Sequence, residues 1–355
     1  MRVVMMTLAA VLTLAAAARA EPLNLKQVAA AAKWVVHVDV DAMRHSVVLE
    51  KAYQKCLEMH KEAAQHMEKL PGMIGMNPRK DLHGITVYGK DFDKRKGVLI
   101  LHADVNQKLL KEKAAKAPDH KVTKSGDYEL HSWTTKCKQG AQTVTGACFK
   151  PNVMVFGGSQ DAVKAALDVL AGDASGITGR DSPLAGRNMP GAMFIARAAA
   201  LDPKTRCPIL KQAESFRVVL GENEGESFYR ARLNMKSTEA VDQVKAITEG
   251  FRALVSLSKG VDAESLKLIG GLKVTGEGKT LTVSWSAKAT DVWAAIEKAA
   301  KKMGEHKWKG GGPPMKHGDA QKGSCPIHGD AHKGKPCPKA DKPKAKKPAH
   351  REDDF

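Results

Sequence analysis

The residues with the clearest metal-binding chemistry lie near the carboxyl end of the sequence, in a short tandem repeat. Residues 317–323 read HGDAQKG, residues 328–334 read HGDAHKG, and a Cys-Pro pair follows each copy. Neutral imidazole and thiolate are ligands that suit Zn²⁺, Ni²⁺ and Cu⁺. We therefore predict a transition-metal site, for zinc or copper, formed by His317, Cys325, His328, His332 and Cys337.

One part of this segment resembles a known metal-binding module. Residues 325–328, Cys-Pro-Ile-His, are similar to the Cys-Pro-Met-His core of heavy-metal-binding modules in metal-export proteins. The resemblance covers four residues and implies transition-metal binding. Ile327 replaces the methionine, and the aromatic residues usual around that core are missing. The alternative is a duplicated low-complexity tail with scattered histidines and a Cys325–Cys337 disulfide.

A second polar group lies on the first predicted strand, residues 34–40. Val36 and Val38 alternate with His37, Asp39 and Asp41, which is the pattern of a half-buried strand. The three polar side chains would suit a metal or acid–base site. We favour the simpler interpretation, in which they form the solvated face of an edge strand.

A third group has the spacing of a metal pair on one helix face. Cys56 and His60 are four residues apart within the helix predicted over residues 46–70. Because both lie on the apolar stripe of that helix, we expect a packed or disulfide-bonded pair instead of a metal site. His102 and His131 lie on predicted strands and have no partner that the sequence identifies.

Motifs of nucleophilic catalysis and nucleotide binding are absent from the sequence. Ser159 follows two glycines but has no G-x-S-x-G frame. The same glycines lack the G-x-x-x-x-G-K-[ST] pattern of a phosphate loop. We expect Ser159 to cap a helix. An enzyme whose site is assembled between the two halves of the chain stays an alternative.

The first twenty residues have the pattern of a signal peptide. Arg2 supplies a positive start, residues 3–17 form an apolar run, and residues 18–20 read Ala-Arg-Ala, an A-x-A cleavage site. We therefore expect a periplasmic or secreted protein. Because no later run of about 18 apolar residues follows, no transmembrane span is expected in the mature chain.

The charge balance predicts anionic partners. The chain carries a net charge of +18; residues 304–355 hold twelve Lys and Arg against seven Asp and Glu, and residues 1–20 hold two arginines, so +11 remains on the body. A charge of this size attracts anionic surfaces. Aromatic content is only 5% without basic–aromatic interleaving, which disfavours nucleic acid. We expect an anionic envelope polymer, a membrane surface or a protein partner.

Six cysteines are consistent with an oxidising compartment. Cys137 and Cys148 flank a glycine-containing loop, so we predict a local disulfide between them, which would contribute about 3 kcal/mol. A bridge between Cys56 and Cys207 is a further hypothesis, because each cysteine follows the first strand of its half.

The apolar pattern indicates two halves built on one plan. Residues 96–105 and residues 226–235 each read as a strand that leads into a helix, at 106–117 and 237–257 respectively. A strand precedes each unit, and a hairpin and an amphipathic helix follow it. Hairpins favour antiparallel pairing. We predict an α+β fold of two related lobes, each an antiparallel sheet with packed helices; the sequence does not settle whether they share one sheet.

This order of elements resembles that of exported bacterial two-lobed α+β proteins that have no assigned activity. The resemblance implies the fold and supplies no catalytic residues. Beyond residue 303 the composition changes to Lys, Pro, His and Gly, which favours disorder. The predicted organisation is a signal peptide (1–20), a first lobe (21–172), a linker (173–190), a second lobe (191–303) and a disordered tail (304–355).

Taken together, these features predict an exported binding or structural protein of the cell envelope that is not an enzyme. Its partner would be an anionic surface component or a protein. The alternative function is periplasmic metal binding or buffering through the tail.

Overall fold

The fold consists of one antiparallel sheet and packed helices. The computed structural model describes residues 22–59, 69, 71–72, 75–93, 96–137, 140–179, 181–258 and 262–309. Its strands are β1 (Trp34–Asp39), β2 (Leu82–Gly89), β3 (Val98–Ala103), β4 (Lys121–Ser125), β5 (Tyr128–Cys137), β6 (Gly140–Lys150), β7 (Val153–Gly157), β8 (Ala192–Ala198), β9 (Ala213–Asn223), β10 (Glu226–Met235), β11 (Lys273–Glu277) and β12 (Thr280–Lys288). They pair in the order β11-β12-β10-β9-β8-β1-β2-β3-β7-β6-β5-β4.

The two predicted halves share this sheet. Its centre is the antiparallel pair of β1 and β8, the first strand of each half, with Val38 opposite Phe194. Strands β2, β3 and β7 follow on one side, and β9, β10 and β12 on the other. The predicted α+β class and the common plan are confirmed. The first half differs by the added hairpin β4–β5 at its edge.

Eight α-helices lie in the described part of the chain. Ser159 and Asn106 are the N-caps of two of them, and their side chains accept hydrogen bonds from Ala162 N (3.2 Å) and Leu109 N (3.0 Å), which confirms the predicted cap at Ser159. The helices are α1 (Val40–Arg44), α2 (Val47–Met59), α3 (Gln107–Ala115), α4 (Gln160–Ala171), α5 (Pro208–Lys211), α6 (Thr238–Leu257), α7 (Ala263–Gly270) and α8 (Ala289–Lys309).

The two halves bury opposite faces of the sheet. We call the side of Val35 the first face and the side of Val36 the second face; residues directly opposite on paired strands share a face. In the first half, Val35 and its first-face neighbours are buried beneath α4. In the second half, Leu233 and Leu281 are buried on the second face beneath α6. Each half therefore leaves the opposite face more open.

Strand β1 corrects the sequence interpretation of His37, Asp39 and Asp41. The strand is central and not an edge strand, and His37 is only 2% exposed on the buried first face. Val36 and Val38 lie on the half-buried second face. Asp39 ends the strand and accepts a hydrogen bond from Ala42 N at 2.8 Å, and Asp41 lies in α1. The alternation along β1 is present, but the side that carries His37 is covered by segments from distant parts of the chain.

Helix α2 also differs from the prediction. None of its described residues is buried, and Cys56 is an exposed free thiol, so its expected packing or disulfide bonding is wrong. His60 lies outside the described residues.

Helix α6 has the strongest apolar pattern in the chain but packs along only part of its length. Val241 and Val244 near its start are buried. Phe251 and Leu254 on the same stripe are 56% and 68% exposed. The helix therefore extends beyond the sheet that covers its first turns.

The predicted Cys137–Cys148 disulfide is wrong. In the β5–β6 hairpin, Cys137 lies opposite Gly140, whereas Cys148 lies eight residues further along β6, about 26 Å away in an extended strand. A disulfide needs the two Cα atoms within about 7 Å. Cys148 is a half-buried free thiol, and Cys56 and Cys207 are exposed free thiols, so the hypothetical Cys56–Cys207 bridge is not formed either.

The chain divides into two units, Met1–Glu305 and His306–Phe355, and the sheet belongs to the first. The predicted signal peptide and residues 310–355, which hold most of the predicted tail, lie outside the described residues. Within the described part, no helix has both the length and the apolar character needed to span a bilayer.

Candidate functional site

Three arginines lie side by side on the first face of the second half. Arg197 of β8 is directly opposite Arg217 of β9, and Arg217 is directly opposite Arg232 of β10. We call these three residues the arginine row. Opposite Cα atoms in antiparallel strands are about 4.5–5.5 Å apart, and like charges at this spacing repel. The row is therefore an arrangement that costs stability unless something compensates it.

The alternation along β10 explains why the row faces outward. Residues 230–234 read Arg-Ala-Arg-Leu-Asn, so Ala231 and Leu233 enter the core while Arg230, Arg232 and Asn234 stay exposed on the other face. Period-two patterning of this kind fixes a strand's register. The same register brings Arg232 beside Arg217.

Exposure increases along the row. Arg197 is only 2% exposed, Arg217 is half-buried and Arg232 is exposed. The row thus runs from the interior of the sheet to its solvated surface.

Neutral oxygen atoms of the segment that links the two halves hold Arg197 in place. Its Nη1 donates to the carbonyls of Leu184 (3.0 Å) and Gly186 (3.2 Å). Its Nη2 donates to the carbonyl of Arg187 (3.4 Å) and to Asn188 Oδ1 (3.5 Å). These contacts satisfy the buried guanidinium without cancelling its charge.

The electrostatic consequence is visible in the pKa values. Burial and, to a smaller extent, the neighbouring charge of Arg217 together lower the pKa of Arg197 to about 10. Burial and the charge of Arg232 also lower the pKa of Arg217. No carboxylate among the described residues forms an ion pair with Arg197, Arg217 or Arg232. The row is a local excess of positive charge.

Two cavities adjoin the row, and Arg217 lines both. The larger, of about 540 Å³, lies between the N-terminal segment, the linking segment and β9, with Lys26 and Arg187 in its wall. The smaller, of about 170 Å³, is lined by Arg232 and Asn234. An anion bound at Arg217 would therefore meet further cationic side chains on either side.

The open face around the row is polar and mostly basic. Besides the row it carries hydroxyl side chains, which donate hydrogen bonds to oxyanions, and two carboxylates near its ends, Glu226 and Glu277. Its remaining residues, assigned by register, include Ser215, Arg230, Asn234, Lys273, Thr275, Thr282, Ser284, Ser286 and Lys288.

The histidines singled out from the sequence do not form a common site. His37 Nδ1 lies 2.9 Å from Thr86 Oγ1, and burial lowers the pKa of His37 to about 4, with smaller contributions from His102 and Arg197. His102 Nε2 lies 3.2 Å from Gln27 Oε1 on the same face. His131 is on the second face of β5, away from both. His37 is a neutral core residue.

Asp41 was expected on the polar side of β1 with His37, but it lies in α1 and contacts Arg44 and His83. It pairs with Arg44 within α1, and its Oδ2 lies 3.1 Å from His83 Nδ1. The other ring nitrogen of His83 lies 3.2 Å from Asp104 Oδ2. This network joins α1 to the ends of β2 and β3, so its evident effect is to fix that end of the sheet.

The predicted metal ligands His317, Cys325, His328, His332 and Cys337 all lie outside the described residues. Within the described ranges, no group of three or more His, Cys, Asp or Glu residues is arranged to hold a metal ion.

Sequence reasoning missed the arginine row. Arg230 and Arg232 were visible as outward positions of an alternating strand. Arg197 lies in the apolar segment GAMFIARA, where one basic residue among hydrophobic ones was the available signal. Their adjacency depends on the pairing of three strands, which no local pattern encodes.

The chain matches no protein-family model and no curated protein. Among solved structures it is similar to three crystal forms of TP0453, a protein of Treponema. Crystal form III has 11% identity and a TM-score of 0.40 and covers 78% of this chain and 98% of its own. Form I has 10% identity and a TM-score of 0.41, covering 79% and 98%; form IV has 12% and 0.41, covering 78% and 97%. At these values the likeness concerns the fold alone.

Proposed function

We propose that this is an exported, non-enzymatic protein of the cell envelope that binds an anionic component through the arginine row. The observation that carries the proposal is the adjacency of Arg197, Arg217 and Arg232 without a carboxylate partner among the described residues. A bound anion would offset the repulsion within the row.

The chemistry of the guanidinium group favours phosphate or carboxylate as the bound group. Its planar set of donors matches two oxygens of either anion at once. Arg197 uses its donors on backbone carbonyls and on Asn188 Oδ1. Arg217 donates from Nε to Pro183 O at 3.3 Å, so its two Nη groups and the donors of Arg232 are the ones that would reach the ligand. Arg197 then acts from beneath as a fixed positive charge.

The net charge supports capture of a large anionic partner. The body carries +11, which raises the local concentration of anions at its surface through long-range attraction. Such attraction weakens as salt rises, because the screening length falls from about 10 Å at 0.1 M to about 3 Å at 1 M. We therefore expect binding to decrease steeply with ionic strength.

The test is co-sedimentation of the full chain with vesicles of phosphatidylglycerol and with vesicles of phosphatidylcholine. We expect binding to the first that exceeds binding to the second and falls with salt. The double variant Arg217→Gln/Arg232→Gln should bind at least about tenfold more weakly, since even one lost charge-assisted contact is worth about 1.5 kcal/mol or more.

The matched control is Lys108→Gln/Lys164→Gln, which removes the same charge from exposed positions on α3 and α4. It should bind within about twofold of the parent chain, because distributed surface charges contribute little individually. If both double variants weaken binding equally, net charge alone explains it and the row has no special role.

A second candidate function, metal binding by the tail, rests on the tandem His/Cys repeat. Calorimetry of the reduced full chain with Zn²⁺ and with Cu⁺ should show binding that Cys325→Ser/His328→Ala weakens strongly. The control His45→Ala should leave it unchanged. Unaltered binding by the first variant would remove the tail from consideration.

A further inference from the structure

A cavity of about 630 Å³ lies between α3 and the second face of β5, β6 and β7. Volumes of roughly 300–1,000 Å³ are typical of small-molecule sites. We call this space the α3 cavity. It is on the opposite face and in the opposite half from the arginine row, so an inference about it does not rest on the proposed function.

The floor of the cavity is apolar and includes aromatic rings. Trp133, Met154 and Phe156 all face it from the sheet, and Leu110 and Ala114 of α3 face it from above.

Gly146 makes this floor possible. A Cβ added there would lie 2.8 Å from ring atoms of Phe156, which is too close for a side chain, and 3.5 Å from Trp133, which is an ordinary contact. The absence of a side chain at Gly146 therefore lets the Phe156 ring lie directly over β6.

The polar groups of the cavity lie toward the other end of β5. Lys111 Nζ of α3 bonds to Glu129 Oε2 at 2.7 Å, which ties the helix to the strand. His131 comes next along the same face, and then Trp133. Same-face positions on a strand are about 6.6 Å apart. The cavity therefore changes from polar to apolar over roughly 13 Å along one strand.

His131 supplies a specific sign that a ligand oxygen belongs in the cavity. Its Nε2 is buried and has no hydrogen-bond partner among the described residues. Its Nδ1 lies 3.1 Å from His120 Nε2, and the two rings stack with centroids 5.3 Å apart. Glu129 Oε2 is 3.9 Å from the unpaired Nε2, which favours the tautomer with hydrogen on Nε2. That N–H is a donor in need of an acceptor.

Helix α3 holds the cavity open instead of filling it. None of its residues is buried. The apolar side chains that it turns toward the cavity, Leu110 and Ala114, do not fill the space above the floor. The helix is nonetheless anchored, because Asn106 N donates to Gly75 O (2.9 Å) and Gln107 Nε2 donates to Pro151 O (3.2 Å).

We propose that the α3 cavity binds a fatty acyl chain. The chain would lie over Trp133, Met154 and Phe156, and its carboxyl or ester oxygen would accept a hydrogen bond from His131 Nε2 beside Lys111. The segregation of apolar floor and polar end matches an amphiphile with one head and one tail. A sugar or a nucleotide can stack on the aromatic rings, but neither has the long apolar tail that this segregation favours.

The test is titration of the full chain with the fluorescent fatty acid cis-parinaric acid, followed by displacement with palmitate. The parent chain should bind the probe and release it to palmitate. Ala114→Phe fills the cavity from the helix side and should weaken probe binding at least tenfold. The control Ala115→Phe places the same ring on an exposed position of the same helix and should bind as the parent does.

Further arms identify the source of the chain and the role of the head. Displacement by palmitate indicates a free fatty acid, and displacement by lysophospholipid or phospholipid vesicles instead indicates the acyl chain of a lipid. His131→Leu should weaken the binding of palmitate about tenfold. It should weaken the binding of hexadecane, which has no oxygen head, much less. Arg217→Gln/Arg232→Gln should bind palmitate normally, which separates this inference from the proposed function.

Two results would overturn the proposal. One is a parent chain that binds neither the probe nor any of the acyl ligands. The other is an Ala114→Phe variant that binds as tightly as the parent. If Ala114→Phe does not fold by circular dichroism, Leu110→Trp replaces it as the cavity-filling variant, with the same expected loss.

Discussion

The two open regions of the sheet, one in each half, have opposite chemistry. The open second face of the first half has an apolar floor, which includes Trp133 and Phe156 in the α3 cavity. The open first face of the second half is basic and carries Arg217 and Arg232. Since both halves follow one plan, the difference shows that the face left open by the core is where the two copies diverge.

The helices explain which face each half leaves open. Helices α3 and α6 are counterparts, because each follows the third strand of its half, and both lie over the second face. Val241 and Val244 pack α6 tightly there, whereas α3 stands off and leaves a cavity. The sequence of α3 contains several lysines and few large apolar residues, so it lacks the side chains to close the gap.

The last helices of the two halves differ as well. Helix α4 covers the first face of the first half with Val163 and Leu167. Its counterpart α8 is instead tied to α7 by Lys298–Asp262 (3.3 Å), and α7 bonds through Leu268 O to Trp285 on the second face. The first face of the second half therefore stays open around the arginine row.

The largest expected effect contrasts a helix that covers its face with one that does not. Leu167→Ala in α4 removes a side chain that is 1% exposed, and we expect a loss of about 3 kcal/mol in the free energy of unfolding. Leu110 in α3 already borders a cavity, so Leu110→Ala should lower the free energy of unfolding by less than about 1 kcal/mol. Denaturant unfolding measures both. Equal losses would mean that α3 packs as tightly as α4 and that the comparison fails.

The centre of the sheet, where the two halves meet, should give a pH effect of similar size. Burial lowers the pKa of His37 from 6.5 to about 4, so the folded chain binds this proton less readily than the unfolded chain. Stability is therefore unaffected above pH 6.5 and falls as the pH drops from 6.5 through 4, by about 3 kcal/mol in total.

The variant His37→Gln tests this assignment. Glutamine retains a polar partner for Thr86 but has no proton to gain. Between pH 7 and pH 4, the free energy of unfolding of this variant should therefore fall by about 2–3 kcal/mol less than that of the parent chain. Unfolding free energies measured at both pH values for both chains decide the matter. Parallel pH profiles would assign the acid sensitivity to other groups.

A smaller effect tests the change in environment along the arginine row. Arg197→Met leaves the carbonyls of Leu184 and Gly186 without their buried donor, which should cost about 2 kcal/mol. Arg232→Met removes an exposed like charge beside Arg217, so stability should stay within about 0.5 kcal/mol or rise slightly. Thermal unfolding at low salt compares the two. A large loss for Arg232→Met would mean that the row has a stabilising partner.

The sequence alone predicted the class of the fold because that depends on local signals. Strand alternation, the helix cap at Ser159 and the hairpin turn before β10 are all encoded within a few residues. The turn shows this directly, since Glu224 and Gly225 both have positive φ, as a tight hairpin requires.

The open faces and the row depended on distant pairing and were therefore out of reach. Strand β8 makes β1 a central strand, and the first face of β1 joins the core that α4 covers; both elements are more than 100 residues away along the chain. His37 was assigned to solvent because valine outranks histidine in hydropathy. The same limit hid the adjacency of Arg197 and Arg217, which the register of β8 and β9 alone creates.

The smallest expected effect concerns the part of α6 that extends beyond the sheet. Phe251 is 56% exposed, so Phe251→Ser should change the free energy of unfolding by less than about 0.5 kcal/mol. Val241→Ala, on the same stripe but buried at 2% exposure, should cost about 1–2 kcal/mol, because it removes buried methyl groups. Chemical denaturation of both variants measures the contrast. A cost at Phe251 that equals the cost at Val241 would place its ring in a packed interface, and the second face of this half would then be covered along the whole helix.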